Sequence, residues 1–167
     1  MNTEGPVVDV NVVNIDYNHP QQAQDMIDLL ACYALDLMGG ASPLMEETKA
    51  NLAQELAKLP HAFTLICYVD NQPAGLMNCF EAFSTFKCKP IINIHDVIVL
   101  PEFRGLGLSQ TMLSTVEQIA QDKGCCKLTL EVLEANQPAQ QAYTKFGFSG
   151  YELDPRAGKA LFWEKLL

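Results

Sequence analysis

Apolar positions along the chain follow two rhythms. Met26, Ile27, Leu29, Leu30, Tyr33, Ala34, Leu37 and Met38 recur at three- and four-residue spacing behind Pro20, which predicts a helix stopped by Gly39-Gly40. Ser42-Pro43 predicts the cap of a second helix reaching about Lys58, closed by Pro60. Val7 to Val13 reads as a short strand. His61 to Val69 and Ala74 to Phe83 are apolar runs on either side of Asp70-Asn71-Gln72-Pro73, the pattern of a hairpin. Ser84 to Lys89 reads as a loop, and Ile91 to Val99 as a β-branched strand broken by Pro101. The rhythm then changes. Gly105 to Lys123 predicts a helix with Met112, Leu113, Val116, Ile119 and Ala120 on one stripe, stopped by Gly124. Cys126 to Leu133 alternates as a strand does. Asn136 or Gln137 caps a short helix that ends at Gly147. Phe148 to Leu153 and Lys159 to Leu166 read as two closing strands around Asp154-Pro155. Mixed strands and helices with a β-α-β unit in the second half predict an α+β domain, a three-layer α/β arrangement, spanning 1–167 as one unit.

Composition narrows the chemistry. The 167 residues are 49% hydrophobic and 19% charged, an ordinary globular balance. Eleven Lys and Arg stand against twenty Asp and Glu, for a formal charge of -9. That balance argues against a phosphate-backbone binder and mildly favours small cationic partners, although an acidic surface also serves solubility. The amino-terminal stretch has no basic region ahead of a long apolar run, and no segment approaches the roughly 20 apolar residues of a membrane helix. The six Cys are mostly placed in apolar periodic segments, and Cys125-Cys126 are adjacent rather than spaced as a metal pair. No metal site is expected, and a reducing, cytoplasmic compartment fits.

The informative segment is Val97-Ile98-Val99-Leu100-Pro101-Glu102-Phe103-Arg104-Gly105-Leu106-Gly107-Leu108-Ser109. A strand enters a glycine-containing turn that opens a helix. Such a turn aims several backbone N–H groups at one point, and the helix dipole adds positive potential, so an anion is favoured there. Arg104 adds a cationic contact. Simple packing of a strand-to-helix turn is the competing reading. A dinucleotide fingerprint is incomplete, because Gln110 stands at the third glycine position, and the Lys of a P-loop is absent.

Arg104-Gly105-Leu106-Gly107-Leu108-Ser109 resembles the Arg/Gln-x-x-Gly-x-Gly/Ala signature of the GNAT acetyltransferases, with Ser109 where Gly or Ala is usual. Downstream, Asn136, Ala139, Tyr143, Gly147 and Phe148 resemble that family's N-x-x-A-x-x-x-Y-x-x-x-G-F pattern, with Ala142 just before the Tyr. The match is clear over Ile91 to Tyr151 and rests on element order elsewhere. The resemblance implies the family's fold, a mostly antiparallel twisted sheet flanked by helices with a splayed central strand pair. It implies an acetyl-CoA-dependent N-acetyltransferase. The pyrophosphate would sit on Arg104, Gly105, Leu106, Gly107, Leu108 and Ser109. The pantetheine arm would add like a strand along Val97, Ile98 and Val99. Asn136 and Tyr143 would lie on the cofactor side, with Tyr143 as the general acid toward the leaving thiolate; its alternative is a core Tyr beside Phe146 and Phe148.

On the amine side, His95 stands where polyamine-type relatives carry Glu and arylalkylamine-type relatives carry His. An imidazole accepts a proton near neutral pH, which suits a general base, although a structural His in a sheet is nearly as good a reading. Asp96 falls on the opposite face of an ideal strand and becomes a candidate base or orienting group only if a bulge re-aims it. Met38, Glu81, Phe83 and Phe86 occupy places where relatives meet acceptors. The acceptor expected is a small primary amine. Acetylation of a protein or peptide amine, a non-catalytic acyl-CoA sensor and a nucleotide-phosphate binder are the alternatives. Similar proteins are usually dimers, so a homodimer is a further expectation.

Overall fold

In a computed structural model of the chain, residues 8–152, 154, 156, 158 and 160–167 are described. The elements run β1 (Val10–Asn14), α1 (Pro20–Leu35), α2 (Glu46–Ala57), β2 (Ala62–Val69), β3 (Gln72–Ser84), β4 (Lys89–Val99), α3 (Leu108–Asp122), β5 (Leu128–Leu130) and α4 (Gln137–Phe146). The chain divides into two compact units, 1–133 and 134–167. The first holds the whole five-stranded sheet, in the order β1-β2-β3-β4-β5. β1 to β4 pair antiparallel, and β5 joins β4 in parallel after the α3 crossover. The second unit holds α4.

The sheet carries a different helix layer on each face. Met26 and Leu29 of α1 and Leu56 of α2 pack with Ile66, Leu76 and Ile98 from the sheet. Alternation sends the neighbouring residues the other way, so Gly75 lies under Met112 of α3. Met112, Leu113 and Val116 are fully buried. Each such side chain contributes about 1.5–3 kcal/mol relative to exposure. Asp25 is buried within α1 but satisfied: it accepts from the Tyr68 hydroxyl and from Gln21, each at 2.8 Å.

Several boundaries differ from expectation, each for a local reason. The second helix begins at Glu46, with Met45 as its cap. Ser42 is engaged elsewhere, its N–H bonding the Ala34 carbonyl at 2.9 Å to close the end of α1. The hairpin turn is only Asp70-Asn71, both at positive φ of 49° and 64°. Val69 pairs with Gln72, so Gln72 and Pro73 belong to β3. α3 starts at Leu108, not Gly105, because Gly105 and Gly107 hold left-handed φ of 83° and 76°. β5 keeps only three residues of the run from Cys126 to Leu133. Of the strand expected over Val7 to Val13, Val7 lies outside the described residues. The closing strands expected over Phe148 to Leu153 and Lys159 to Leu166 do not form among the described residues of those stretches. Leu161, Phe162 and Trp163 are exposed there, and alternation of apolar residues makes no strand until its N–H and C=O groups find partners. Leu153 and Lys159 lie outside the described residues.

Candidate active site

β4 carries the chemistry because it is irregular in two ways. Its register with β3 steps from Asn78↔Asp96 to Cys79↔Ile94, which leaves His95 as an extra residue. This is a β-bulge, and it cancels the alternation that would have put His95 and Asp96 on opposite faces. Asp96 meets Asn78 at 2.9 Å. The His95 ring stands edge-on to Phe80, centroids 5.5 Å apart at 80°. Asn78 and Phe80 are two apart on β3 and share its α1 face, so His95 and Asp96 are brought together on that face. His95 is exposed and Asp96 half-buried.

The second irregularity is where β5 stops. β5 pairs with β4 only at Ile92, Asn93 and Ile94. From His95 to Val99 the outer edge of β4 has no strand beside it among the described residues. Val97 and Val99 are half-buried and Ile98 is buried, so what this stretch presents at that edge is backbone. An extended ligand with amide groups fits such an edge as an added strand would.

Beyond Val99 the chain forms one tight turn, Pro101–Phe103, anchored by the Leu100 N–H on the Ala74 carbonyl at 2.9 Å. Gly105 and Gly107 then bend it through left-handed conformations into α3. A Cβ at either glycine would meet nothing within 4 Å, so it is the φ angle, not crowding, that calls for glycine. No backbone or side-chain acceptor among the described residues takes the N–H groups of Gly105, Leu106, Gly107, Leu108 and Ser109. Those are the free donors of a helix start, and they suit an anion. The Arg104 side chain lies beside them, donating from Nε to the Val99 carbonyl at 3.3 Å and facing the Asp36 carboxylate at 3.6 Å. That exposed pair is weak and leaves the guanidinium available to a stronger anion.

Met38 approaches the β4 pair through Tyr33. The Tyr33 hydroxyl donates to the Met38 carbonyl at 3.2 Å. Burial holds the Tyr33 phenol above its usual value, and the nearby Asp96 and Asp36 carboxylates add to that. Glu81 is not brought to this group. It pairs with Lys123 at the end of α3, at 2.6 Å, on the other face. Phe83 and Phe86 line no cleft, being 58% and 100% exposed around the β3–β4 turn. Phe80, one residue before Glu81, is the aromatic that reaches His95. A surface hollow of about 330 Å³ between α1 and α2, lined by Gln24, Ile27, Asp28 and Lys49 among others, touches none of these residues.

Asn136 and Tyr143 belong to the second unit. The Asn136 Oδ1 accepts the Ala139 N–H at 3.3 Å and caps α4. Tyr143 is 8% exposed and packs edge-on against Phe148, centroids 6.0 Å apart. Gly147 ends the helix at φ 111°. The motif thus folds as a capped helix with an aromatic on its buried side.

Three participants escaped the sequence reading: Tyr33, Asp36 and Asn78. Asn78 carried a signal, being a polar residue inside the apolar run Ala74 to Phe80.

The sequence pattern of the Acetyltransferase (GNAT) family matches residues 24–148 of the chain. The chain is 28% identical over 137 residues to a thialysine N-epsilon-acetyltransferase of Caenorhabditis elegans, covering 79% of this chain and 78% of that one. It is 36% identical over 130 residues to a glucosamine 6-phosphate N-acetyltransferase of Trypanosoma brucei brucei, covering 73% and 84%. Among solved structures, an aminoglycoside N-acetyltransferase in complex with CoA shares the fold at TM-score 0.69 and 17% identity, covering 99% of each chain. No helix among the described residues is long and apolar enough to cross a membrane. A bulged strand with one edge left open, running into a glycine turn that starts a helix, is therefore the frame of a GNAT acetyltransferase, and the chain belongs to that family and is an acyltransferase.

Proposed function

We propose that the chain, acting as one domain over 1–167, transfers an acetyl group from acetyl-CoA to the primary amine of a small cationic molecule. The observation that carries this reading is the bulge at His95, which gathers an imidazole and a carboxylate beside the open edge of β4. The free amides of Gly105 to Ser109, with Arg104, fit the pyrophosphate. The backbone of Val97 to Val99 fits the pantetheine arm. Acetyl-CoA supplies the activated acyl group.

In this reading Asp96 draws in the ammonium and orients it, with Met38, Tyr33 and Phe80 around the acceptor. His95 takes the nitrogen's proton, directly or through water, as the N–C bond forms. The C–S bond breaks, and Tyr143 gives its phenolic proton to the departing sulfur. A phenol suits that donation because its ordinary pKa is close to that of a thiol. The acidic surface favours a cationic acceptor by steering. The relatives named above act on an amino-acid amine and an amino-sugar amine, as their names state. A cytoplasmic location and a homodimer belong to the same reading.

The test is release of free CoA thiol with acetyl-CoA and a panel of thialysine, glucosamine 6-phosphate, an aminoglycoside and a peptide with an amino-terminal alanine. Release with a small amine is expected, with kcat lowered in His95→Gln and the acceptor KM raised in Asp96→Asn. Release with the peptide alone would move the acceptor to proteins. Calorimetric binding of acetyl-CoA with no release from any amine would make the protein a sensor.

A further inference from the structure

Strand β2 is apolar at its centre except for Thr64, and β3 except for Asn78, which are 0% and 5% exposed. They face each other across the ladder, and Asp96 faces Asn78 from β4. The Thr64 hydroxyl donates to Asn78 Oδ1 at 2.6 Å, and Asn78 Nδ2 donates to Asp96 Oδ2 at 2.9 Å. The Tyr17 hydroxyl lies 2.9 Å from Thr64 Oγ1. Thr64 has one hydrogen and spends it on Asn78, so Tyr17 is the donor at that contact. A carboxylate only accepts, which fixes the Asn78 amide with its NH₂ toward Asp96. The chain of bonds has one direction, from Tyr17 through Thr64 and Asn78 to the carboxylate.

The fold does not require this chain. Two apolar residues of similar volume would fill the same space without a desolvation cost. The hydrogen bonds satisfy Thr64 and Asn78, and their one outlet is Asp96. That carboxylate is half-buried, and its second oxygen takes no bond among the described residues.

We propose that Thr64 and Asn78 are positioning residues: with Tyr17 they form a buried strut that holds the Asp96 carboxylate in one rotamer, with Oδ1 presented to the acceptor's ammonium. The strut acts on capture and orientation of a cationic amine and leaves acyl-CoA binding alone. This rests on the reading of Asp96 as the acceptor-side carboxylate.

The experiment compares Thr64→Val, which keeps the shape and removes the hydroxyl, with Thr64→Ser, which keeps the hydroxyl, and with Asp96→Asn. The acceptor is the small amine of the panel that releases most thiol. Thr64→Val and Asp96→Asn are expected to raise the acceptor KM about tenfold, the scale of one well-made hydrogen bond, with the acetyl-CoA KM unchanged and Thr64→Ser near wild type. An NMR arm needs no acceptor. The Asn78 side-chain amide protons are expected to be dispersed and slow to exchange in wild type and Thr64→Ser, and averaged and fast in Thr64→Val. A folded Thr64→Val with an unchanged acceptor KM, beside a raised KM in Asp96→Asn, overturns the strut and leaves the role of Asp96 standing. An unchanged KM in Asp96→Asn overturns both. Asn78 amide signals that ignore Thr64→Val overturn the strut without reference to activity.

Discussion

Gly107 is the residue at which shape and strain separate most cleanly. It caps α3 at φ 76° and ψ 11°, with nothing within 4 Å of the position a Cβ would take. Gly107→Ala therefore introduces no clash, and its cost is that of the left-handed conformation alone, about 1–2 kcal/mol. For a chain of this size 1 kcal/mol is worth about 2–4 °C, so the melting temperature should fall by about 2–8 °C. Gly107→Asn should lose less, because Asn tolerates this region. Gly107→Val should lose more, because a β-branched residue is a strong outlier there, and the turn escapes by rotating to negative φ. That rotation swings the amides of the turn away from their common focus. Differential scanning calorimetry ranks the three variants, and isothermal calorimetry measures CoA affinity. The expected result is a few-fold loss for Ala and Asn and at least about a tenfold loss for Val, the equivalent of about 1.4 kcal/mol. A melting temperature for Ala equal to wild type would refute the strained-turn argument. Wild-type CoA affinity in Val would remove the glycine turn from the cofactor site.

Two further tests use other parts of the chain. Tyr143→Phe keeps the ring against Phe148 and removes only the hydroxyl; turnover should fall by about 10²-fold with CoA affinity little changed, and equal turnover would return Tyr143 to a packing role. The Cys79 thiol is pushed from its ordinary value of 9.0 up to about 12, by burial first and the Asp96 carboxylate second. A group whose folded pKa is raised contributes stability below its unfolded pKa and loses it as pH rises through the folded one. Urea midpoints should accordingly fall between about pH 9 and 12, less steeply in Cys79→Ala, and an identical slope in the two proteins would contradict the assignment.

The hydrophobic rhythm was enough to read most of the architecture. Met112, Leu113 and Val116 are the buried stripe of α3, and the β-branched run Ile91 to Val99 is the core of β4. The glycine turn was legible because glycine at left-handed φ leaves a mark in the sequence. The bulge was not, since a bulge is a mismatch between two strands and no single strand spells it. The face shared by His95 and Asp96 was for that reason open until the register was known. The place of Glu81 was hidden on similar grounds: its partner Lys123 is distant in sequence, and only the packing of α3 decides which side of the sheet it meets. Phe83 and Phe86 count as aromatics in composition, but the far end of β3 and the turn over 85–88 leave them in solvent. Thr64 and Asn78 are polar interruptions of apolar runs, and the bonds that join them to Asp96 form only when β2, β3 and β4 lie side by side.

The turn at Asp70-Asn71 also has a consequence in time. Two residues at positive φ are the tightest way to reverse a strand, with a twist that matches the sheet. The β2–β3 hairpin is thus the most local long-strand pairing in the chain, and hairpins close in about 1–10 μs. Thr64 and Asn78 are only fourteen positions apart and meet within it. β4 joins through the turn over 85–88, and β5 reaches β4 only after α3 has formed between them. The order of assembly that follows from loop closure is hairpin first, β4 second and β5 last. The Thr64–Asn78 bond is then in place before Asp96 arrives, while the Tyr17 contact, 47 positions from Thr64, waits on longer loop closure, and the open edge of β4 is the last boundary to be drawn. In pulsed hydrogen exchange, the amides of 64–67 and 75–79 should become protected ahead of those of 128–130.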